Sequence, residues 1–169
     1  MKLIKKPKIE NPDVRVDFFS RMFSSGLFIG YVPFASGTFG TAFALIFFLI
    51  PAFHNHVVLS VVFIASFIIG VFTSQNMIQK YGKDPSQVVI DEITGMWFCI
   101  LVLLFLNVEI NLYVIFVSFI LFRIFDIVKI FPAGYFDKIN NGYGIMMDDI
   151  VSAFYAALLT FAFVEFLNF

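Results

Sequence analysis

Residues 22–79 read MFSSGLFIGYVPFASGTFGTAFALIFFLIPAFHNHVVLSVVFIASFIIGVFTSQNMIQ, 58 residues without a Lys, Arg, Asp or Glu. One membrane crossing takes about 20 apolar residues, so the run is far longer than a single span. The rest of the chain agrees with it. Of 169 residues, 60% are hydrophobic, 14% are charged and 26 are Phe. A soluble domain is about 45–50% apolar and about 25% charged. So few charges cannot cover the surface of a soluble fold of this size. Disordered, collagen-like and low-complexity classes are excluded by the same composition. The expected class is a small polytopic membrane protein of one domain.

Five apolar stretches stand out, at residues 39–53, 57–72, 93–108, 111–125 and 150–166. Backbone groups in lipid must pair within their own segment, which leaves a helical bundle or a closed barrel. A barrel needs alternating polarity, whereas LIFFLI at residues 45–50 is apolar on every face. The expected fold is therefore all-α, a bundle of about five apolar helices. Residues 26–40, GLFIGYVPFASGTFG, carry four Gly, one Pro and no charge, and read as a re-entrant or interfacial segment. Residues 1–21 form a basic cytoplasmic arm without the apolar core of a signal peptide. Residues 22–169 form the single membrane-embedded domain. The lone Cys99 lies among apolar residues and reads as an inert small hydrophobe.

Placing the N-terminus in the cytoplasm puts all 11 Lys and Arg on or at the edge of the inner side. That is the positive-inside pattern. All of the 12 acidic residues except Glu109 and Glu165 fall on the same side. The net charge of −1 thus hides a segregated inner surface. His54 and His56 fall outside, in a loop expected to be solvated.

Charged residues at membrane depth are costly and usually serve a purpose. Asp91 and Glu92 open the third span in VVIDEITGMW (residues 88–97), where one carboxylate would serve as a helix cap. Asp148 and Asp149 repeat the arrangement at GIMMDDIVSA (residues 144–153). Four such carboxylates repel unless cations lie between them, and an oxygen-rich set suits Mg²⁺. Arg123, Asp126 and Lys129 follow at steps of three, which places them on one helix face. There Arg123 suits a forked phosphate contact, Asp126 orients it or binds metal, and Lys129 adds charge at the mouth. Ser36–Gly40, SGTFG, leads into the first helix with small residues that let backbone N–H groups approach an anion.

Taken together, SGTFG (residues 36–40), VVIDEITGMW, FRIFDIVKIFP (residues 122–132) and FDKINNGYGIMMDDIV (residues 136–151) resemble the phosphatidylglycerophosphatase A family. Ser36 stands where that family's loop usually has proline, which is expected to loosen the loop. The resemblance implies an all-helical integral membrane phosphatase, dependent on Mg²⁺, in the bacterial inner membrane with its active face cytoplasmic. It implies hydrolysis of phosphatidylglycerophosphate to phosphatidylglycerol and inorganic phosphate. By position it assigns catalysis to Asp91, Glu92, Arg123, Asp126 and Asp149. Metal binding falls to Asp91, Glu92, Asp148 and Asp149, and substrate binding to Thr38, Arg123, Lys129 and Asp137. Phospholipid and bilayer are the expected partners, with no nucleic acid and no obligate protein partner.

The chemistry agrees with that class, because phosphoryl transfer needs positioning and charge neutralisation above all. One carboxylate, Asp91 first, serves as general base, and an aspartyl-phosphate route stays open. A His nucleophile does not fit, since both His fall on the outer side. A small transporter or channel with an inner cation site is the alternative. Its polar groups would be expected near mid-membrane, whereas here they stop at the ends of the spans.

Overall fold

A computed structural model describes residues 9–167. Seven α-helices and no strand occur among the described residues: α1 (Phe18–Ser24), α2 (Ser36–Ile46), α3 (His56–Tyr81), α4 (Ile90–Phe105), α5 (Leu112–Val128), α6 (Ala133–Phe136) and α7 (Gly142–Leu167). The all-helical expectation holds. The basic arm lies partly outside the described residues, and its residues 18–21 begin α1.

Side-chain caps set several helix starts. Asp17 Oδ1 accepts from the Ser20 N–H at 2.8 Å, and Asn55 Oδ1 from Val57 and Val58 at 2.9 and 3.2 Å. Asn111 Oδ1 takes the Val114 N–H at 3.0 Å, and Asn141 Oδ1 that of Gly144 at 2.8 Å. Each satisfies a backbone donor that has no partner within its helix. At the other end of α3, Gly82 takes φ 83°, and its N–H closes on the Ile78 carbonyl at 2.8 Å.

Helix α4 is the central element. Eleven of its 16 residues are buried, and it packs against α2, α3, α5 and α7. Small buried residues on α7, Ala153, Ala156 and Ala157, allow close helix approach. A Ser118–Thr160 hydroxyl pair at 3.3 Å ties α7 to α5. The Trp97 indole N–H, which would otherwise be stranded, donates to the Ala44 carbonyl of α2 at 3.0 Å.

The exterior is strongly apolar. Val57, Val61, Ile64, Ile68 and Phe72 form an exposed stripe along α3, with Phe72 68% exposed. Leu112, Phe116, Ile120, Ile124 and Ile127 do the same on α5. A surface of this extent marks a membrane or partner environment. Among the described residues, two helices, α3 and α7 over Gly142–Phe166, are long and apolar enough to cross a membrane. Of the five stretches expected to span, the others form shorter helices. Those of α4 and α5 have 16 and 17 residues, about 24–26 Å at 1.5 Å per residue.

Three local expectations are corrected. Helix α7 begins at Gly142, so Asp148 and Asp149 sit in its second turn and cap nothing. Ser36–Gly40 is the first turn of α2, behind a left-handed Ala35 at φ 47°, so it is no loop. Helix α5 stops at Val128, and Lys129 takes φ 49°. Lys129 therefore leaves the face that Arg123 and Asp126 share.

Candidate active site

The polar residues gather where the start of α4, the start of α7, the end of α5 and the first turns of α2 meet. Asp91 and Glu92 lie in the first turn of α4, where the helix dipole favours negative charge. One oxygen each from Asp91, Glu92 and Asp149 lies within 4.8 Å of the other two. Asp91 and Asp149 are buried, at 8% and 3% exposure. Asp91 Oδ1, Glu92 Oε2 and Asp149 Oδ2 are buried without a hydrogen-bond partner. Three carboxylates that each strand a buried oxygen are unfavourable on their own. All-oxygen donors at this spacing fit a hard divalent cation, so the group can hold a metal ion.

Arg123 borders the carboxylates. Its Nη1 lies 3.0 Å from Asp126 Oδ2 and 3.9 Å from Glu92 Oε1, and it donates to Thr41 Oγ1 at 3.3 Å. Thr41 in turn donates to the Gly37 carbonyl at 2.9 Å. The Arg123 Nε is buried with no partner, a donor available to an anion. Gly37 is needed for space: a Cβ there would stand 2.1 Å from Glu92 Oε1 and 3.0 Å from Arg123 Nη2. Ser36 occupies the first position of α2, where proline is favoured. Its hydroxyl donates to the Ser86 carbonyl at 2.8 Å, so the segment expected to be loose is tied to the 82–89 loop.

Lys129 forms a separate cluster. Its ammonium bonds Asp137 Oδ1 and Asp148 Oδ2. Burial works against that charge, but Asp148 and Asp137 beside it hold the ammonium well above its ordinary value. Asp148 thus faces Lys129, while its neighbour Asp149 faces Asp91 and Glu92. Asp137 and Asp148 also line a small polar depression with Lys83, Asp84 and Asn140. Asp84 there has φ 48°.

The structure therefore brings Asp91, Glu92 and Asp149 together, with Arg123 and Asp126 beside them. It places Lys129, Asp137 and Asp148 in an adjoining group. Thr38 is exposed on the first turn of α2. The residues missed by sequence reasoning are Gly37 as a spacer, Thr41 and Asp84. Thr41 lies one helical turn after Gly37, a signal visible only once residues 36–46 are taken as helix. Outside this region, His54 shares a hydrogen bond with the Phe48 carbonyl at 2.8 Å, and Cys99 is fully buried.

A family model described as phosphatidylglycerophosphatase A matches residues 22–164. A putative phosphatidylinositol-3-phosphatase of Bacteroides thetaiotaomicron is 33% identical over 150 residues, covering 86% of this chain and 93% of that protein. The phosphatidylglycerophosphatase A of Haemophilus influenzae is 33% identical over 162 residues, 94% of this chain and 93% of its own. That of Escherichia coli is 31% identical over 130 residues, 76% and 73% respectively. No solved structure matches the chain. A match across residues 22–164, with relatives aligned over most of their length, shows that this chain belongs to the phosphatidylglycerophosphatase A family.

Proposed function

We propose that the protein removes the terminal phosphate of phosphatidylglycerophosphate, giving phosphatidylglycerol and inorganic phosphate. One observation carries this reading beyond family membership. Three carboxylates, each with a buried oxygen that has no partner, stand beside an arginine with a partnerless Nε. Such a set suits a cation and a phosphate together, and neither alone.

Asp91, Glu92 and Asp149 would hold a divalent cation, taken to be Mg²⁺. When bound, it supplies charge neutralisation and a more acidic water. Arg123 grips phosphate oxygens through its free Nε and its remaining N–H donors. Asp126 and Thr41 hold the guanidinium in place. A carboxylate of the cluster, Asp91 first, accepts the proton of the attacking water. As the water oxygen bonds to phosphorus, the bond to the glycerol oxygen breaks, and that oxygen takes up the proton that the carboxylate accepted, which returns the carboxylate to its charged form. Lys129 has three N–H donors, two of them used on Asp137 and Asp148. The third adds positive charge at the site's edge. Asp148 supports the metal group from beside it, and Thr38 contacts the headgroup from the exposed turn of α2.

The site occupies one end of the bundle, at the starts of α4 and α7 and the end of α5. We place that end at the cytoplasmic face of a multi-pass protein in the bacterial cell membrane. The distribution of Lys and Arg supports this orientation. Helices α3 and α7 cross, and the shorter α2, α4 and α5 are sheltered by them or thin the bilayer.

Purified protein in detergent micelles should release phosphate from phosphatidylglycerophosphate with Mg²⁺ and stop on adding EDTA. Absence of release with every divalent cation tried would overturn the reading. A parallel arm with phosphatidylinositol 3-phosphate tests the headgroup that the name of the Bacteroides relative indicates. Faster release there would reassign the substrate and leave the site unchanged.

A further inference from the structure

Helices α1, α2, α3 and α4 enclose an open groove of about 370 Å³, within the about 300–1,000 Å³ of small-molecule sites. Its walls include Phe43 of α2, Val62 and Ala65 of α3, and Ile93 and Trp97 of α4. The polar side chain on the lining, Ser66, is satisfied within the protein. Its hydroxyl donates to the Phe63 carbonyl at 2.9 Å and accepts from Thr94 at 3.4 Å. The groove therefore offers hydrocarbon and nothing to recognise a headgroup.

Two observations say what fills it. First, the groove opens outward. Val61 and Ala65 on its rim are exposed and run into the apolar stripe of α3. At the other rim, Gly26 and Leu27 take φ 53° and 56°. A Cβ on Gly26 would stand 2.6 Å from Ile93 Cδ1, so the chain is drawn tight over α4. Leu27 presents an exposed apolar side chain from a conformation that L-residues disfavour. Second, the groove shares α2 and α4 with the site. Ile90 and Ile93 flank Asp91 and Glu92, and the helical step of 100° turns them to the other side of α4. Phe43 of α2 and Phe47, just past its end, follow Gly37 and Thr41 along the chain. From Ile90 to Trp97 the groove runs about 10 Å along the helix, starting at the level of the carboxylates.

We propose that this groove seats one acyl chain of the lipid whose phosphate is hydrolysed. The inference rests on the lipid-phosphatase reading above. It makes recognition two-part, with the phosphate held at the charged cluster and the chain held between α1 and α4.

Trp97 is the single tryptophan of the chain and lines the groove, so its fluorescence reports occupancy. The probe is phosphatidylglycerophosphate with brominated acyl chains, at a few mole per cent in unbrominated phosphatidylcholine. It should quench Trp97 saturably, whereas brominated phosphatidylcholine at the same fraction should not. Quenching that rises equally and linearly with both lipids would assign the groove to bulk lipid and overturn the proposal. Ala65→Phe narrows the groove from its open side. It should raise KM for the diacyl substrate about tenfold relative to the deacylated headgroup. An equal effect on both substrates would also overturn the proposal, and the quenching result stands even if that variant fails to fold. Phosphate release with an unquenched Trp97 defeats the groove alone. No release from any lipid defeats the phosphatase reading itself, and the substrate assignment of the groove with it.

Discussion

Asp148 and Asp149 are adjacent on α7, yet they belong to clusters of opposite character. Asp148 shares the Lys129 ammonium with Asp137, and cation and carboxylates are bonded to one another. Asp149 joins Asp91 and Glu92, and each of these three keeps a buried oxygen without a partner. The first cluster resembles a finished structural joint between the end of α5, α6 and α7. The second is unfinished without a ligand. The first group is satisfied by its own ion pairs. The second keeps its partnerless oxygens at a cost in stability, which is the usual mark of a site kept for chemistry.

The sharpest way to break this contrast is to neutralise one member of each cluster. Asp149→Asn should lower phosphate release at least about a thousandfold, the loss of some 4 kcal/mol of transition-state stabilisation. Its melting temperature should stay level or rise, because a buried unpaired charge has been removed. Phosphate release and thermal unfolding in the same detergent check both halves. Arg123→Lys comes next. It keeps the charge and loses the fork, and a fall in kcat/KM of about a hundredfold is expected.

Lys129→Met should show the inverse pattern. Breaking the pair leaves Asp137 and Asp148 facing each other, so stability falls. The loss should be less than the about 3–5 kcal/mol of a fully buried pair, because the Lys129 side chain is 28% exposed. Activity per folded molecule should drop less than in the first two variants. Adding Asp148→Asn should restore part of the stability, and a double-mutant cycle measures that coupling. The pH dependence has a definite sign. The folded value for Lys129 is raised, so its contribution is fully present below the unfolded value of about 10.4. It is lost only as pH rises through the higher folded value. The melting-temperature gap between wild type and Lys129→Met should therefore stay constant from about pH 8 to about pH 10. A gap that closes within that window would contradict the pairing. The smallest effect is expected for Thr41→Val, which removes one hydrogen bond to Arg123. A two- to tenfold drop in kcat/KM corresponds to the about 0.5–1.5 kcal/mol of such a bond.

Hydropathy located the helices well and their ends poorly. The apolar run at residues 57–72 became α3, His56–Tyr81, because Thr73, Ser74, Gln75 and Asn76 end the hydrophobic signal without ending the helix. Asn76 instead donates to Ser20 of α1 at 3.0 Å, and Gln75 Oε1 accepts from the Gly142 N–H at 2.9 Å. The same effect hid the true start of α7 at Gly142. The candidate residues themselves were legible, since charge is scarce in this chain and each charge at helix depth needs a reason. Their division into two clusters was not legible. It depends on Lys129 leaving α5 in a left-handed conformation and on the rotation of α7 that turns adjacent aspartates to different neighbours. Thr41 was overlooked because helix spacing from Gly37 means nothing until residues 36–46 are taken as helix.

The most direct test of the contrast between the clusters is the thermal shift on adding a divalent cation, measured for three proteins side by side. A ligand that binds only the folded state raises its stability by mass action, about 2.7 kcal/mol at a hundred times Kd. Wild type and Lys129→Met should both gain melting temperature in MgCl₂ or MnCl₂, while Asp149→Asn should gain none. An equal gain in Asp149→Asn, or a gain abolished by Lys129→Met, would show that the cation is held elsewhere and that the unpaired carboxylates are not its site.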